Sequence, residues 1–188
     1  MWSAVGLTLE ISLPGSKLSE AYYSCRYACL REPLGFELGA ERLEDDNEAI
    51  HAWWEDKDGE VLAVGRIHRI PSKSDGSQPD HSGPDAALCP AFTPLTEERD
   101  DLRPAVQIRQ MGTRESWRRQ GLASGLVIAL EAAAISQWGA KSGWLQARLS
   151  AIPMYASEGW KTFGEEYEVV GIGPHLSMWK MLVGDESN

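Results

Sequence analysis

Two periods of apolar and polar residues run along this chain, and each change of period marks an element. In LSEAYYSCRYACLREPLG, Leu18, Tyr22, Cys25, Cys29 and Leu30 recur at helical spacing, and Pro33 with Gly35 ends the run. An acidic connector, ELGAERLEDDNEA, follows. The segment IHAWWEDKDGEVLAVGRIHRI then reads as a hairpin, with an apolar-rich strand, an Asp58-Gly59 turn and a second strand carrying Val61, Val64 and Ile67. Side chains of adjacent strand residues face opposite sides. That predicts one of Trp53 and Trp54 in the core and the other exposed or lining a cleft.

From Pro71 to about Arg103 the chain is rich in proline, serine, aspartate and glycine. A loop of roughly thirty residues is unusual in a compact domain. With few apolar anchors beyond Leu88, Phe92 and Leu95, it is expected to be mobile without ligand. AVQIRQMGTRES resumes as a strand, and a helix runs from about Leu122 to Trp138. Leu122, Leu126, Ala129, Leu130 and Ala133 form its apolar face, which Val127 and Ile128 widen. SGWLQARLS is a strand, AIPMYASEG a short helix with Pro153 near its first turn, and WKTFGEEYEVV a strand that GIG turns back into PHLSMWKML. The order helix, hairpin, strand, helix, strand, helix, hairpin predicts an α/β fold with a mixed, mainly antiparallel central sheet flanked by helices. The 188 residues fit a single domain over 1–188, with a flexible loop insertion at about 71–103.

A net charge of -10 argues against nucleic acid or an anionic membrane as partner and is compatible with a cationic amine. The three cysteines show neither a disulfide framework nor zinc spacing, and the N-terminus carries no secretion signal. A cytoplasmic protein with no metal is therefore expected. Against this acidic background the positive charges are informative by position. SWRRQGLASGLVIALEAAA sets Arg118 and Arg119 just before a helix, where unpaired N–H groups and the helix dipole attract anions. Gly121 lets the backbone approach a ligand, and Ala123 leaves room beside the first turn. Successive N–H groups from Arg119 to Ser124 can then cradle a pyrophosphate. The Gly-Lys-Ser/Thr ending of a P-loop and the G-x-G-x-x-G of a dinucleotide fold are both missing, so neither nucleotide hydrolysis nor dinucleotide binding is expected.

At this strand-to-helix junction, Arg118, Gly121 and Ala123 resemble the acetyl-CoA motif Q/R-x-x-G-x-G/A of the GNAT superfamily of N-acetyltransferases. LQARLSAIPMYASEGW resembles the family's next strand and short helix, with Met154-Tyr155 and Gly159-Trp160 standing where Phe-Tyr and Gly-Phe are usual. GEEYEVVGIGPHLSMWK resembles the closing hairpin of a bacterial branch with a Gly-Ile-Pro-His-x-x-Met signature, departing from it by Gly173 inserted before Pro174-His175. CLREPLG and GRIHRI resemble the same branch's N-terminal half. The likeness covers roughly Leu18 to Leu182, the 71–103 loop excepted.

The resemblance implies acetyl-CoA as co-substrate, its pyrophosphate held by Arg118, Arg119, Gln120, Gly121, Leu122, Ala123 and Ser124. It implies that backbone groups of Met111, Gly112 and Thr113 pair with pantetheine and polarise the thioester carbonyl. Tyr155 matches the family's general acid, whose proton meets the departing thiolate. An alkyl amine at pH 7 costs roughly 4.6 kcal/mol to deprotonate. His175, His51, Glu168 and Glu41 are the candidate bases, His175 foremost because it lies in the signature hairpin. The acceptor implied is a primary amine of a small molecule or peptide that attacks the thioester directly. A homodimer is compatible with this reading. Two alternatives share the fold: an N-acyl amino acid or acyl-homoserine-lactone type synthase, and a non-catalytic coenzyme-A-binding module.

Overall fold

The computed structural model describes residues 6–79, 86–95 and 99–182. The chain divides into two compact units, one of residues 1–67 with 110–130 and one of residues 68–109 with 131–188. Seven strands, β1 (Leu7–Ser12), β2 (Ile50–Asp56), β3 (Val61–Ile70), β4 (Ala105–Thr113), β5 (Ser142–Arg148), β6 (Lys161–Val169) and β7 (Gly173–Met181), hydrogen-bond in the order β1-β2-β3-β4-β5-β7-β6. The helices are α1 (Glu20–Leu30), α2 (Leu122–Trp138) and α3 (Ile152–Ser157). The β4–β5 pair is parallel, while β1–β2, β2–β3, β5–β7 and β6–β7 are antiparallel. This is the mixed, mainly antiparallel α/β fold that the order of elements predicts.

In the first unit, Ser19 caps α1, its Oγ accepting from the Tyr22 N–H at 3.1 Å. The helix ends where Pro33 and a left-handed Gly35 convert the chain to a 3-10 turn. Leu18, Tyr22 and Cys25 pack on Val61 and Val64 of the hairpin, with Trp53 against the same cluster. Trp54 faces the opposite side. Its Nε1 donates to the Leu122 carbonyl at 3.0 Å, and its ring lies over Gly125, where a Cβ would come within 2.9 Å of it. The two do face opposite sides as expected, and neither is fully buried or exposed: each lies half-buried beneath a different helix. One strand, β1, is absent from the sequence reading. LTLEIS does alternate apolar and polar, but Leu7 and Leu9 are only half-buried and Ile11 is exposed, and the ladder with β2 from Leu7↔Asp56 to Ser12↔His51 defines the strand.

In the second unit, Trp144 of β5 stacks on Trp179 of β7 at 5.6 Å, and Phe92 of the 71–103 segment closes on Trp144 at 5.3 Å. Ile70, Leu95, Leu102 and Ala105 complete this cluster. Gln78 donates to Gln107 at 2.6 Å, and Gln107 donates to Gln146 at 3.0 Å, which extends the contact from β4 to β5. The segment expected to be a mobile loop therefore carries Phe92, Leu95 and Leu102 as buried residues. Residues 80–85 and 96–98 of it lie outside the described residues. Ile128, expected to widen the buried face of α2, is 55% exposed.

Candidate acyl-donor site and proton-transfer groups

The parallel ladder between β4 and β5 covers only Ala105–Gln107 and Ser142–Trp144, while β4 continues to Thr113. Gln110 has φ 56, a left-handed conformation that costs energy for a residue with a Cβ and is tolerated where the surroundings over-determine it. Those surroundings include Arg31, whose Nη2 donates to Gln110 Oε1 at 2.8 Å. Arg31 is itself buried and tied to the carbonyls of Ala40 and Leu30, each at 3.0 Å. A left-handed residue inside a strand interrupts its alternation and re-aims the backbone that follows, here Met111, Gly112 and Thr113. Gly112 must lack a side chain, since a Cβ there would stand 2.7 Å from the Cβ of Cys29 on α1. Met111 packs toward Gly65, where a Cβ would meet its Sδ. Arg114 then pins the strand end to β3, through its N–H on the Leu62 carbonyl at 2.9 Å and its Nε on the Val61 carbonyl at 2.8 Å.

The turn before α2 is built on two left-handed residues, Arg119 at φ 60 and Gly121 at φ 80, which flank Gln120. Alternation of this kind curls successive backbone N–H groups into an anion-binding concavity, and the first N–H groups of α2 add to it. Leu122 is buried and anchors the helix start, Ala123 and Ser124 are half-buried, and Arg118, Arg119 and Gln120 are exposed. Arg118 Nε donates to the Thr113 carbonyl at 3.3 Å. The first unit thus brings together the three backbone positions of β4 and all seven residues of the turn. Arg31 and Gln110 carried no signal in the sequence. A buried arginine and a left-handed glutamine arise only from the fold.

Tyr155 and His175 belong to the second unit. Tyr155 lies buried on α3 with its ring edge-on to Trp160, whose Nε1 donates to Glu131 at 2.8 Å. Burial pushes the Tyr155 phenol well above its ordinary pKa, so it keeps its proton at every working pH. His175, also buried, has Nδ1 at 2.8 Å from the Gly173 carbonyl. A carbonyl only accepts, so Nδ1 carries the proton and Nε2 presents a lone pair. The residue that the sequence shows as an insertion, Gly173 at φ 114, is therefore the one that fixes this tautomer.

The other candidate bases are placed differently. Glu168 is exposed on β6, and Glu41 is buried, its Oε2 accepting the Gly39 N–H at 2.7 Å. His51 is buried, with Nε2 donating to the Asp46 carbonyl at 2.8 Å and Nδ1 facing the Tyr22 hydroxyl at 2.9 Å. Both of its nitrogens are committed to structure. Burial, with the nearby Arg26 charge, lowers its pKa from 6.5 to about 4. The native state thus favours the neutral ring, and this contribution is fully present above pH 6.5 and is lost as the pH falls toward 4. The loss amounts to about 3 kcal/mol. Urea unfolding at pH 7, 5.5 and 4 should show a steeper fall in stability for the wild type than for His51→Gln across that window. Parallel slopes would contradict the assignment.

Among the described residues, no group of three or more His, Cys, Asp or Glu side chains is arranged to hold a metal ion, and no helix is long and apolar enough to cross a membrane.

Residues 16–160 match the model of the Acetyltransferase (GNAT) family, and the chain belongs to that family. It is 34% identical over 97 residues to the uncharacterised N-acetyltransferase YitI of Bacillus subtilis, a match covering 52% of this chain and 62% of that relative. Among solved structures, Escherichia coli ElaA superposes with a TM-score of 0.60 at 20% identity, over 93% of this chain and 99% of that one. A Bacillus subtilis acetyltransferase in complex with CoA superposes with a TM-score of 0.55 at 14% identity, over 94% of this chain and all (100%) of that one. At these identities the two structures bear on the fold alone.

Proposed function

We propose that this protein is an acetyl-CoA-dependent N-acetyltransferase acting on a primary amine of a small molecule or peptide. One observation carries the reading: β4 leaves its ladder with β5 after Gln107, turns through Gln110, and leads directly into the turn around Arg119 and Gly121. The backbone of Met111–Thr113 is then available to an extended amide-bearing arm, and the turn to a pyrophosphate. Acetyl-CoA has both parts in that order. The chain's own groups fit it: Arg118 and Arg119 supply positive charge, and the N–H groups from Arg119 to Ser124 supply donors. Membership of the Acetyltransferase (GNAT) family supports the choice of donor.

A backbone N–H of Met111–Thr113 directed at the thioester oxygen stabilises the charge that develops there as the amine attacks. His175 Nε2 takes the proton that the amine gives up. Tyr155 donates its own to the departing thiolate, which leaves more easily as a thiol. A positioned acid contributes about 10²–10⁴-fold, so Tyr155→Phe is expected to lower kcat at least about tenfold with acetyl-CoA affinity little changed. The phenyl ring still packs against Trp160, and only the hydroxyl is tested. Wild-type kcat in that variant, with chemistry rate-limiting, would leave Tyr155 as an aromatic wall and nothing more.

Thiol release from acetyl-CoA against a broad panel of primary amines tests the reading as a whole, with longer acyl-CoAs in parallel. Turnover with acetyl-CoA and at least one amine is the expected result. Turnover with longer acyl donors alone would replace the reading by a synthase of acylated amines. Tight acetyl-CoA binding with no turnover on any amine would make the protein a coenzyme-A-binding module.

A further inference from the structure

Cys25 and Cys29 lie one turn apart on α1 with their sulfurs 3.9 Å apart. Cys25 is buried and Cys29 half-buried, and both are free thiols. Cys29 packs against Gly112, so close that a Cβ on that glycine would be 2.7 Å from the Cβ of Cys29. A two-thiol pair thus sits beside the backbone to which the proposed function assigns the sulfur-bearing arm of the acyl donor. Cys25 also belongs to the core that α1 packs on Val61 and Val64, whereas Cys29 faces Gly112, and the acid–base roles above use neither thiol.

We infer that Cys29 is a thiol–disulfide exchange site for the disulfide of coenzyme A, with Cys25 as the resolving thiol. The inference rests on the reading of the turn as a coenzyme A site. Coenzyme A disulfide is the oxidant: one half occupies the turn and the end of β4, and the Cys29 thiolate attacks the nearer sulfur. The S–S bond of the ligand breaks, a bond from Cys29 to coenzyme A forms, and one coenzyme A thiolate leaves with the electron pair. Cys25, losing its proton to water, then attacks the Cys29 sulfur and expels the second coenzyme A. The net change is one disulfide reduced to two thiols and the two cysteines oxidised to one disulfide. The sulfurs start 3.9 Å apart, and closing them to a bond draws the two Cβ atoms nearer than the roughly 5–6 Å of a regular helical turn, so α1 must distort locally at this turn when the disulfide forms.

The electrostatics agree with this order of attack. Cys29 is the less buried of the two and lies under the Arg114 and Arg118 charges, which favour its thiolate against the cost of its partial burial, whereas deeper burial pushes the Cys25 thiol up. Cys29 is therefore the sulfur that ionises first.

The test incubates the reduced protein with coenzyme A disulfide, or with glutathione disulfide at the same concentration, and follows peptide masses and thiol release. Binding of the ligand's nucleotide end raises the local concentration of its disulfide, so coenzyme A disulfide should react at least about tenfold faster. The wild type should end with a Cys25–Cys29 disulfide and two coenzyme A released. Cys25→Ser should stop at a mixed disulfide on Cys29, and Cys29→Ser should leave α1 unmodified. Equal rates with the two disulfides, or labelling confined to Cys89, would overturn the inference. Calorimetry with acetyl-CoA on the reduced wild type and Cys25→Ser separates the two ideas. Binding with an inert Cys29 removes the exchange site alone, and absence of binding removes the reading of the turn and the exchange site with it.

Discussion

Asp46→Ala is expected to lower the unfolding free energy by about 3–5 kcal/mol, the range for breaking a buried ion pair by removing one partner. Its carboxylate accepts from Arg26 Nη1 at 2.9 and 2.8 Å, from Arg66 Nη1 at 2.9 Å, and from the Leu43 N–H at 3.0 Å. Both guanidinium groups are fully buried, and the arginines hold the Asp46 pKa below its ordinary value against the cost of its own burial. The two arginines then differ in what remains. Arg66 keeps Asp45, at 2.8 and 2.6 Å. Arg26 keeps only neutral partners among its hydrogen bonds, the Glu41 carbonyl and the Tyr22 hydroxyl, both at 2.9 Å, and the His51 ring nitrogen at 3.3 Å. The substitution leaves a charge in a dry site without a carboxylate, and that residual charge dominates the cost. Asp45→Ala is the contrast, because its carboxylate is 45% exposed and its loss should cost well under half as much. Urea unfolding of both variants at pH 7 measures the difference, and equal losses would show that burial of Asp46 is not what matters.

Gly121→Glu is expected to abolish measurable acetyl-CoA binding, with a loss of at least about a hundredfold. Two unit charges about 4 Å apart near a protein surface repel by about 4 kcal/mol, and solvent at this exposed turn trims that figure without removing it. A side chain at φ 80 also strains the backbone, and Gly121→Ala isolates that part, since it adds a Cβ without charge. Calorimetry should therefore rank the wild type first, the alanine variant next and the glutamate variant last. Far-UV circular dichroism should be unchanged, because the turn precedes the apolar face that holds α2. Undiminished affinity in the glutamate variant would remove the turn as the anion site and the proposed function with it.

The parts of the site that could be read from the sequence are those whose chemistry is local. Gly121 and Ala123 with the preceding arginines mark a turn because small residues and positive charge act within one helical turn, and the backbone there is left-handed at Arg119 and Gly121. The Asp58-Gly59 hairpin follows from backbone preference in the same way. Residues whose role depends on a distant partner stayed invisible. Arg31 touches Gln110 across 79 positions of sequence, and Arg26 reaches Asp46 across 20. Phe92 had no periodicity to announce it, being an isolated aromatic in a polar stretch, yet it lies fully buried against Trp144.

The sequence by itself determined the order of elements from α1 to β7, the mixed sheet and the basic turn before α2, since each rests on periodicity or turn chemistry, while Tyr155 and His175 were named through the resemblance to a family. Only the tertiary structure decided how β4 is re-aimed at Gln110, which nitrogen of His175 carries the proton, and that His51 is locked in place rather than available as a base. Those outcomes depend on which groups meet after folding. A left-handed residue is held by a buried arginine, a tautomer by the carbonyl of an inserted glycine, and a histidine's charge by the water excluded around it, and no stretch of chain encodes such partners locally.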